Sequence, residues 1–196
     1  MKRLSKPLRP VAMVTVLVLC SLVLAGCTTT SPSGRTDVAS TKAQIDRQVD
    51  ATLARLHSQV PGAKEIQANA KGVLVFPAVV GGSFVVGAEY GRGSLRSDDS
   101  ARRYYSIAVG SVGWQVGAQS KSVIYMFMTT EALNRFRNSK GWTAGVDATV
   151  AVANVGATGS VDTTSMRAPV VAFVLANAGL EVGASVEGMK ISPLSF

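Results

Sequence analysis

Between Ser40 and Gln59, Ile45, Val49, Leu53, Leu56 and, just beyond, Val60 recur at helical spacing, while Asp46, Arg47, Asp50 and Arg55 take the other face. Ser40 or Thr41 can cap this helix and Pro61-Gly62 stops it, with a second short helix expected over Ala63 to Ala70. An apolar stripe of this width calls for packing on a sheet rather than for a helix lying free in a membrane. His57, the only histidine, falls near the helix end and reads as a helix-end residue.

From Gly72 the period changes. "GVLVFPAVV" is a continuous apolar run closed by Gly81-Gly82. Strands are then expected over Ser83 to Tyr90, Arg103 to Val109, Val112 to Gln119 and Ser122 to Met128. Gly91-Arg92-Gly93 and Ser97-Asp98-Asp99 have turn chemistry. Thr129-Thr130-Glu131 opens a short helix, "EALNRFRNS", with Leu133 and Phe136 on its buried side. The last third reads as strand again, over Trp142 to Val152, Arg167 to Ala176 and Leu180 to Ile191.

The alternation assigns faces. Trp142, Ala144, Val146, Ala148, Val150 and Val152 oppose Thr143, Gly145, Asp147 and Thr149, and Leu180, Val182, Ala184 and Val186 oppose Glu181, Gly183, Ser185 and Glu187. Such strands are antiparallel with one core face. The fold class is α+β, mainly β: a curved antiparallel sheet or partial barrel with N-terminal and mid-chain helices packed on it.

A valine-glycine-alanine triplet recurs at Val86, Val116, Val155 and Val182, too unevenly spaced for a solenoid. In all four the valine and alanine join the apolar set and the glycine falls on the polar face, so that Phe84, Val86, Ala88 and Tyr90 share a core face and Gly87 lies beside Glu89. Glycine inside a strand costs roughly 0.5–1 kcal/mol relative to alanine. It is tolerated where a sheet coils tightly or another backbone or ligand approaches, and sheet curvature is the favoured reason here.

The N-terminal region changes the picture of charge. Lys2, Arg3, Lys6 and Arg9 precede an apolar stretch from Val11 to Ala25, followed by Gly26-Cys27. The stretch is short for a membrane span of about 20 residues. Leu24-Ala25-Gly26-Cys27 resembles a bacterial lipoprotein lipobox, which implies removal of 1-26 and acylation (palmitate) of Cys27. Residues 27-37 then form a lipidated tether and 38-196 a single domain. Thr28 after the cysteine favours the outer membrane by the same resemblance. Without the leader, 16 basic residues face 12 acidic ones, a charge of +4 that allows attraction to anionic lipid but is no nucleic-acid signature. Cys20 leaves with the leader and Cys27 takes the lipid, so no disulfide is expected.

Candidate chemistry is sparse. One histidine and no usable thiol argue against histidine-based nucleophilic catalysis and the usual zinc sites, so no metal, cofactor or enzyme activity is expected. Glu89, Asp147 and Glu181 supply carboxylates, but nothing singles out a pair. Arg92, Arg96, Arg102 and Arg103 bracket one hairpin loop and suit bidentate phosphate contact, with Tyr104 and Tyr105 placed for a headgroup boundary. The plainer alternative is a charged loop tip balanced by Asp98 and Asp99. Arg135, Arg137 and Lys140 offset a helix C-terminal dipole.

Taken together, "AKGVLVFP" from Ala70, "IAVGSVGWQVGAQSKSVIYMFMT" from Ile107, "LNRF" from Leu133 and "AFVLANAGLEVGASVEGMKI" from Ala172 resemble a SYLF domain. Eukaryotic relatives bind phosphoinositide-rich membranes, helped by an amphipathic N-terminal segment, and yeast relatives also bind and bundle actin. Bacterial relatives are commonly exported proteins or lipoproteins. The mixed charges of Ser40 to Gln59 make it a poorer anionic-membrane binder than a lysine-rich helix. With the lipobox and the arginine-bracketed hairpin, the resemblance leads to the expectation of a non-enzymatic, outer-membrane-anchored lipoprotein binding anionic phospholipid or phosphorylated headgroups, with Arg92, Arg96, Arg102 and Arg103 as the candidate headgroup ligands from the hairpin. The alternative is an envelope scaffold that binds a protein and has no lipid ligand of its own.

Overall fold

The computed structural model describes residues 34–82, 86–98, 101–112, 119–153, 167–176, 179–181 and 184–196. Three helices lie among them: α1 (Gly34–Gln59), α2 (Ala63–Asn69) and α3 (Thr130–Asn138). Nine strands form one sheet: β1 (Gly72–Gly82), β2 (Val86–Ser97), β3 (Arg103–Val112), β4 (Gln119–Phe127), β5 (Trp142–Thr143), β6 (Val150–Val152), β7 (Val170–Ala176), β8 (Gly179–Leu180) and β9 (Lys190–Pro193). Their order is β5-β9-β3-β2-β1-β4-β7-β6, with β8 paired to β7. Each pairing of these strands is antiparallel except β6 with β7. The sheet curls into a half-barrel, the α+β, mainly β class expected from the strand pattern. Among the described residues no helix is long and apolar enough to cross a membrane.

The sheet has two buried faces where the alternation predicts one. β1, β4 and β7 are continuous apolar runs, so successive side chains on both faces need cover. On one face Val73, Val75, Ile124, Met126, Val171 and Phe173 pack against Ile45, Val49, Leu53 and Leu56 of α1, Val60 just beyond it, and Ile66 of α2. On the other, Leu74, Phe76, Leu95, Ile107, Tyr125, Phe127 and Ala172 pack against Leu133 and Phe136 of α3 and against Trp142. Phe136 lies 4.9 Å from the rings of both Tyr105 and Phe127 and 5.6 Å from Trp142. Full burial of each such side chain contributes about 1.5–3 kcal/mol. The apolar stripe of α1 is thus spent on the sheet, as its width requires. Val38–Phe196 forms one compact unit.

Pro77 sits in a central strand, where its missing N–H would break the ladder, and the chain absorbs it in a bulge. The registers of β1 with β2 and with β4 both shift between residues 75 and 79. The Ser122 hydroxyl donates to the Pro77 carbonyl at 2.6 Å, and Arg55 Nη2 of α1 donates to Ser122 Oγ at 3.0 Å. Beyond the bulge the alternation is re-phased: Val79 enters the core with Phe76, while Ala78 and Val80 are exposed.

Gly91-Arg92-Gly93 is strand, not turn, and this overturns the sequence expectation. β2 runs straight through it, pairing Gly91 with Val79 and Ile107 and Gly93 with Tyr105. A Cβ on Gly91 would stand 2.6 Å from the Ala78 carbonyl oxygen, and one on Gly93 would collide with the Val75 carbonyl. These glycines let the bulged backbone of β1 come close. They also invert the expected faces of β2: Gly91, Gly93 and Leu95 are buried, whereas Ala88 and Tyr90, assigned to the core from the pattern, are exposed. Gly87 pairs with Ser111 in β2 and β3, and Gly117, Gly156 and Gly183 lie outside the described residues.

Two long strands expected in the last third are interrupted. After β5, Gly145 takes φ +81° and Asp147 Oδ2 accepts the Thr143 N–H at 2.6 Å, forming a turn that leaves Val146 78 % exposed. Gly188, at φ +77°, turns the chain before β9, and among the described residues of this segment Gly179–Leu180 and Lys190–Pro193 are strand. The apolar side of the intervening segment still reaches the core through Val186 and Met189, whose sulfur accepts the Tyr125 hydroxyl at 3.4 Å. Burial raises the Tyr125 pKa well above its usual value.

Candidate functional site

Asp46 is the hub of the polar contact between α1 and the β2–β3 hairpin. The alternation puts it on the solvent face of its helix, yet it is 9 % exposed. Strand period sets Arg92, Ser94 and Arg96 on one face of β2, and their cross-strand neighbours include Ser106 and Tyr104. Arg102 Nη1 donates to Asp46 Oδ2 at 2.7 Å, Tyr104 Oη to the same oxygen at 3.0 Å, and Ser94 Oγ to Oδ1 at 3.4 Å. Arg96 spans one helical turn, donating to Asp50 Oδ1 at 2.6 Å and to the Asp46 carbonyl at 3.3 Å. Charge-assisted bonds of this kind are roughly twice as strong as neutral ones.

The electrostatics follow from these contacts. The Arg96 hydrogen bond holds the Asp50 carboxyl below its ordinary value, against a small opposing effect of burial. Asp46 raises the Arg102 pKa through its hydrogen bond and its charge. Burial, reinforced by the bond to Asp46, raises that of Tyr104. Lys42 Nζ lies 4.8 Å from the Phe196 ring centroid and 5.5 Å from that of Tyr104, and those two rings meet edge to face at 5.4 Å.

Next to this clamp, α1 and the sheet part to form a groove of about 530 Å³. Thr41, Gln44, Ile45 and Gln48 line one wall, and Ala78, Val80, Tyr90, Gly91 and Arg92 the other. Val80 and Tyr90 are cross-strand partners, 50 % and 51 % exposed, so an aliphatic and an aromatic side chain stand together in solvent at its mouth. Arg92 is exposed beside them. The lining offers amides, a hydroxyl, a phenol and a guanidinium, with no carboxylate, thiol or imidazole.

The four arginines proposed as headgroup ligands do not form one cluster. Arg96 and Arg102 are taken up by Asp50 and Asp46, Arg92 lines the groove, and Arg103 follows the opposite alternation with buried Tyr105 and Ile107. The acids beside the hairpin arginines are those of α1, whereas Asp98 is exposed at the loop. Tyr105 is in the core against Phe136, not at a surface boundary. Cys27 lies outside the described residues. Arg137 donates to Ser97 Oγ at 3.0 Å, His57 meets Gln67 Oε1 at 2.9 Å between α1 and α2, and Glu89 pairs with Lys121 at 2.9 Å. Among the described residues no group of three or more His, Cys, Asp or Glu is placed to hold a metal. Asp46, Val80 and Tyr90 were missed by the pattern. Only the coincidence of Asp46 and Asp50 one turn apart with a basic hairpin hinted at the clamp.

A family model described as "Ysc84: Las17-binding protein actin regulator" matches residues 108–195, from β3 through β9. No match was found among curated proteins. By its description the family is one of binding proteins, and SYLF (Ysc84) domains point to lipid- or actin-related binding. Over residues 108–195 the chain carries a SYLF-family (Ysc84) domain match, which bears out the resemblance drawn from the motifs in that span, while "AKGVLVFP" lies outside it.

Proposed function

We propose that this chain is a lipoprotein anchored through Cys27 in the outer membrane, whose SYLF-like domain binds anionic phospholipid without catalysing a reaction. The observation that carries the reading is the exposed Val80–Tyr90 pair beside Arg92 at the mouth of the groove. An aromatic ring with a polar tip suits the headgroup boundary, an aliphatic neighbour suits the acyl region, and a guanidinium suits a phosphate. The apolar face of α1 is buried on the sheet, so membrane contact falls to this open end of the sheet rather than to an inserted helix. A lining without carboxylate, thiol or imidazole favours binding over acid–base or nucleophilic chemistry.

Two experiments test it. Labelled palmitate should enter the full chain and fail to enter the Cys27→Ser variant, and equal labelling of both removes the anchor. Residues 34–196, which contain the compact unit, should float with anionic vesicles at low salt. Equal recovery with neutral vesicles sinks the lipid reading. Salt-insensitive capture of an envelope protein would instead favour the scaffold reading.

A further inference from the structure

The groups around the Asp46 carboxylate make an anion site that already holds an anion. Arg102 Nη1 and Tyr104 Oη aim at one oxygen, Ser94 Oγ at the other, and Arg96 reaches the Asp46 carbonyl and the Asp50 carboxylate from the same side. Each is a donor to Asp46, and guanidinium, phenol and hydroxyl donors serve a phosphate oxygen as well as a carboxylate oxygen. We propose that Ser94, Arg96, Arg102 and Tyr104 form a phosphate-oxyanion site, and that Asp46 of α1 occupies it as an internal stand-in for the ligand.

Three features support exchange rather than a permanent structural pair. Arg102 is 53 % exposed and Asp50 64 %, so external anions reach the guanidinium side of the cluster, while Ser94 is buried behind Asp46. The segment of α1 that carries Asp46 also forms a wall of the open groove through Thr41, Gln44 and Gln48. Ile45 and Val49 on either side of Asp46 stay packed on the sheet, at 4 % and 0 % exposure, so the exchange displaces the Asp46 carboxylate and not the helix. Finally, removing the carboxylate leaves donors without an acceptor, a state that a bound oxyanion relieves. The groove arginine, Arg92, stands on the same strand face as Arg96, so an anion in the site and one at the groove mouth would lie along one basic strip.

Two sources supply such a phosphate, the free ion and a lipid headgroup, and only the second rests on the membrane reading above. The full chain in neutral detergent micelles tests both. In one arm inorganic phosphate is titrated into Asp46→Ala, into Glu65→Ala as an exposed control with the same charge change, and into Asp46→Ala/Arg102→Gln. Asp46→Ala should bind at least tenfold more tightly than Glu65→Ala, and the added Arg102→Gln should abolish the gain. Equal binding by Asp46→Ala and Glu65→Ala, or a gain that survives Arg102→Gln, overturns the site. Because Asp46→Ala can fail to fold, the unsubstituted chain is also followed by NMR at high phosphate. Side-chain signals of Arg102 and Tyr104 should shift while those of Arg103 stay put, and an equal shift at Arg103 overturns the proposal. In the second arm the micelles carry phosphatidic acid. A gain with free phosphate alone keeps the site and rejects lipid as its source. Anionic-micelle binding by the unsubstituted chain with no gain in Asp46→Ala keeps the membrane reading and rejects the site.

Discussion

Replacing Gly93 by alanine tests the claim that buried glycines let β1 bulge against β2. The added Cβ would collide with the Val75 carbonyl oxygen and stand 2.8 Å from both the Val75 carbonyl carbon and Phe76 Cδ1. Val75 and Phe76 are 0 % exposed, and Val75 lies in a strand flanked by β2 and β4, so its carbonyl has little room to swing. Overpacking of this kind costs about 1–3 kcal/mol, and the top of that range applies because backbone must move. Loss of unfolded-state freedom returns about 0.4–1 kcal/mol. The net expectation is a loss of about 2 kcal/mol. Gly110→Ala is the control: nothing lies within 4 Å of its Cβ, so it should gain about 0.4–1 kcal/mol. Urea denaturation of residues 34–196 reads the difference as a lower midpoint for Gly93→Ala at unchanged slope. Equal midpoints for Gly93→Ala and Gly110→Ala would refute the reasoning.

Other consequences are smaller or more local. Ser122→Ala strips the Pro77 carbonyl of its donor and Arg55 of an acceptor, and should cost about 1–3 kcal/mol in thermal or urea denaturation, where no change would contradict the bulge account. Gly145→Ala forces a side chain into φ +81° and should cost about 1–2 kcal/mol, against no loss if the turn after β5 is dispensable. Asp50 has a folded pKa below its ordinary 3.8, so the Arg96 contact contributes stability above that value and loses it as pH falls through the folded pKa. With the carboxylate 64 % exposed and screened, Asp50→Asn should cost less than about 1 kcal/mol at neutral pH. That cost should fade on acidification, and one that grows instead contradicts the assignment.

The parts of the fold that were legible in the sequence are those where side chains carry the signal. The stripe Ile45, Val49, Leu53, Leu56 and Val60 identified α1 and its buried face, and the apolar runs of β1, β4 and β7 identified the central strands. The parts that were not legible are those where backbone does the packing. β2 presents Gly91 and Gly93 to the core, so a hydrophobicity pattern reads its inward face as polar and its exposed Tyr90 as buried. The Pro77 bulge shifts the phase of β1 midway, which no fixed period of two can follow. Gly145 and Gly188 carry positive φ and break strands whose alternation looks continuous in one dimension. The candidate site divides the same way. The basic hairpin is visible as a composition, but Arg96 and Arg102 find their acids on α1, near-fifty positions away in the chain. Burial of Asp46 is a tertiary event, because a carboxylate enters a core boundary only when donors from another element meet it.

The most direct test of the central claim is flotation of residues 34–196 with vesicles of anionic or neutral phospholipid at low salt. The account predicts enrichment on anionic vesicles, a several-fold loss for Tyr90→Ser/Arg92→Ser, and no loss for Arg103→Ser, which lies on the other alternation of its hairpin. Equal recovery on the two vesicle types, or a double variant that floats as well as the parent, would contradict it.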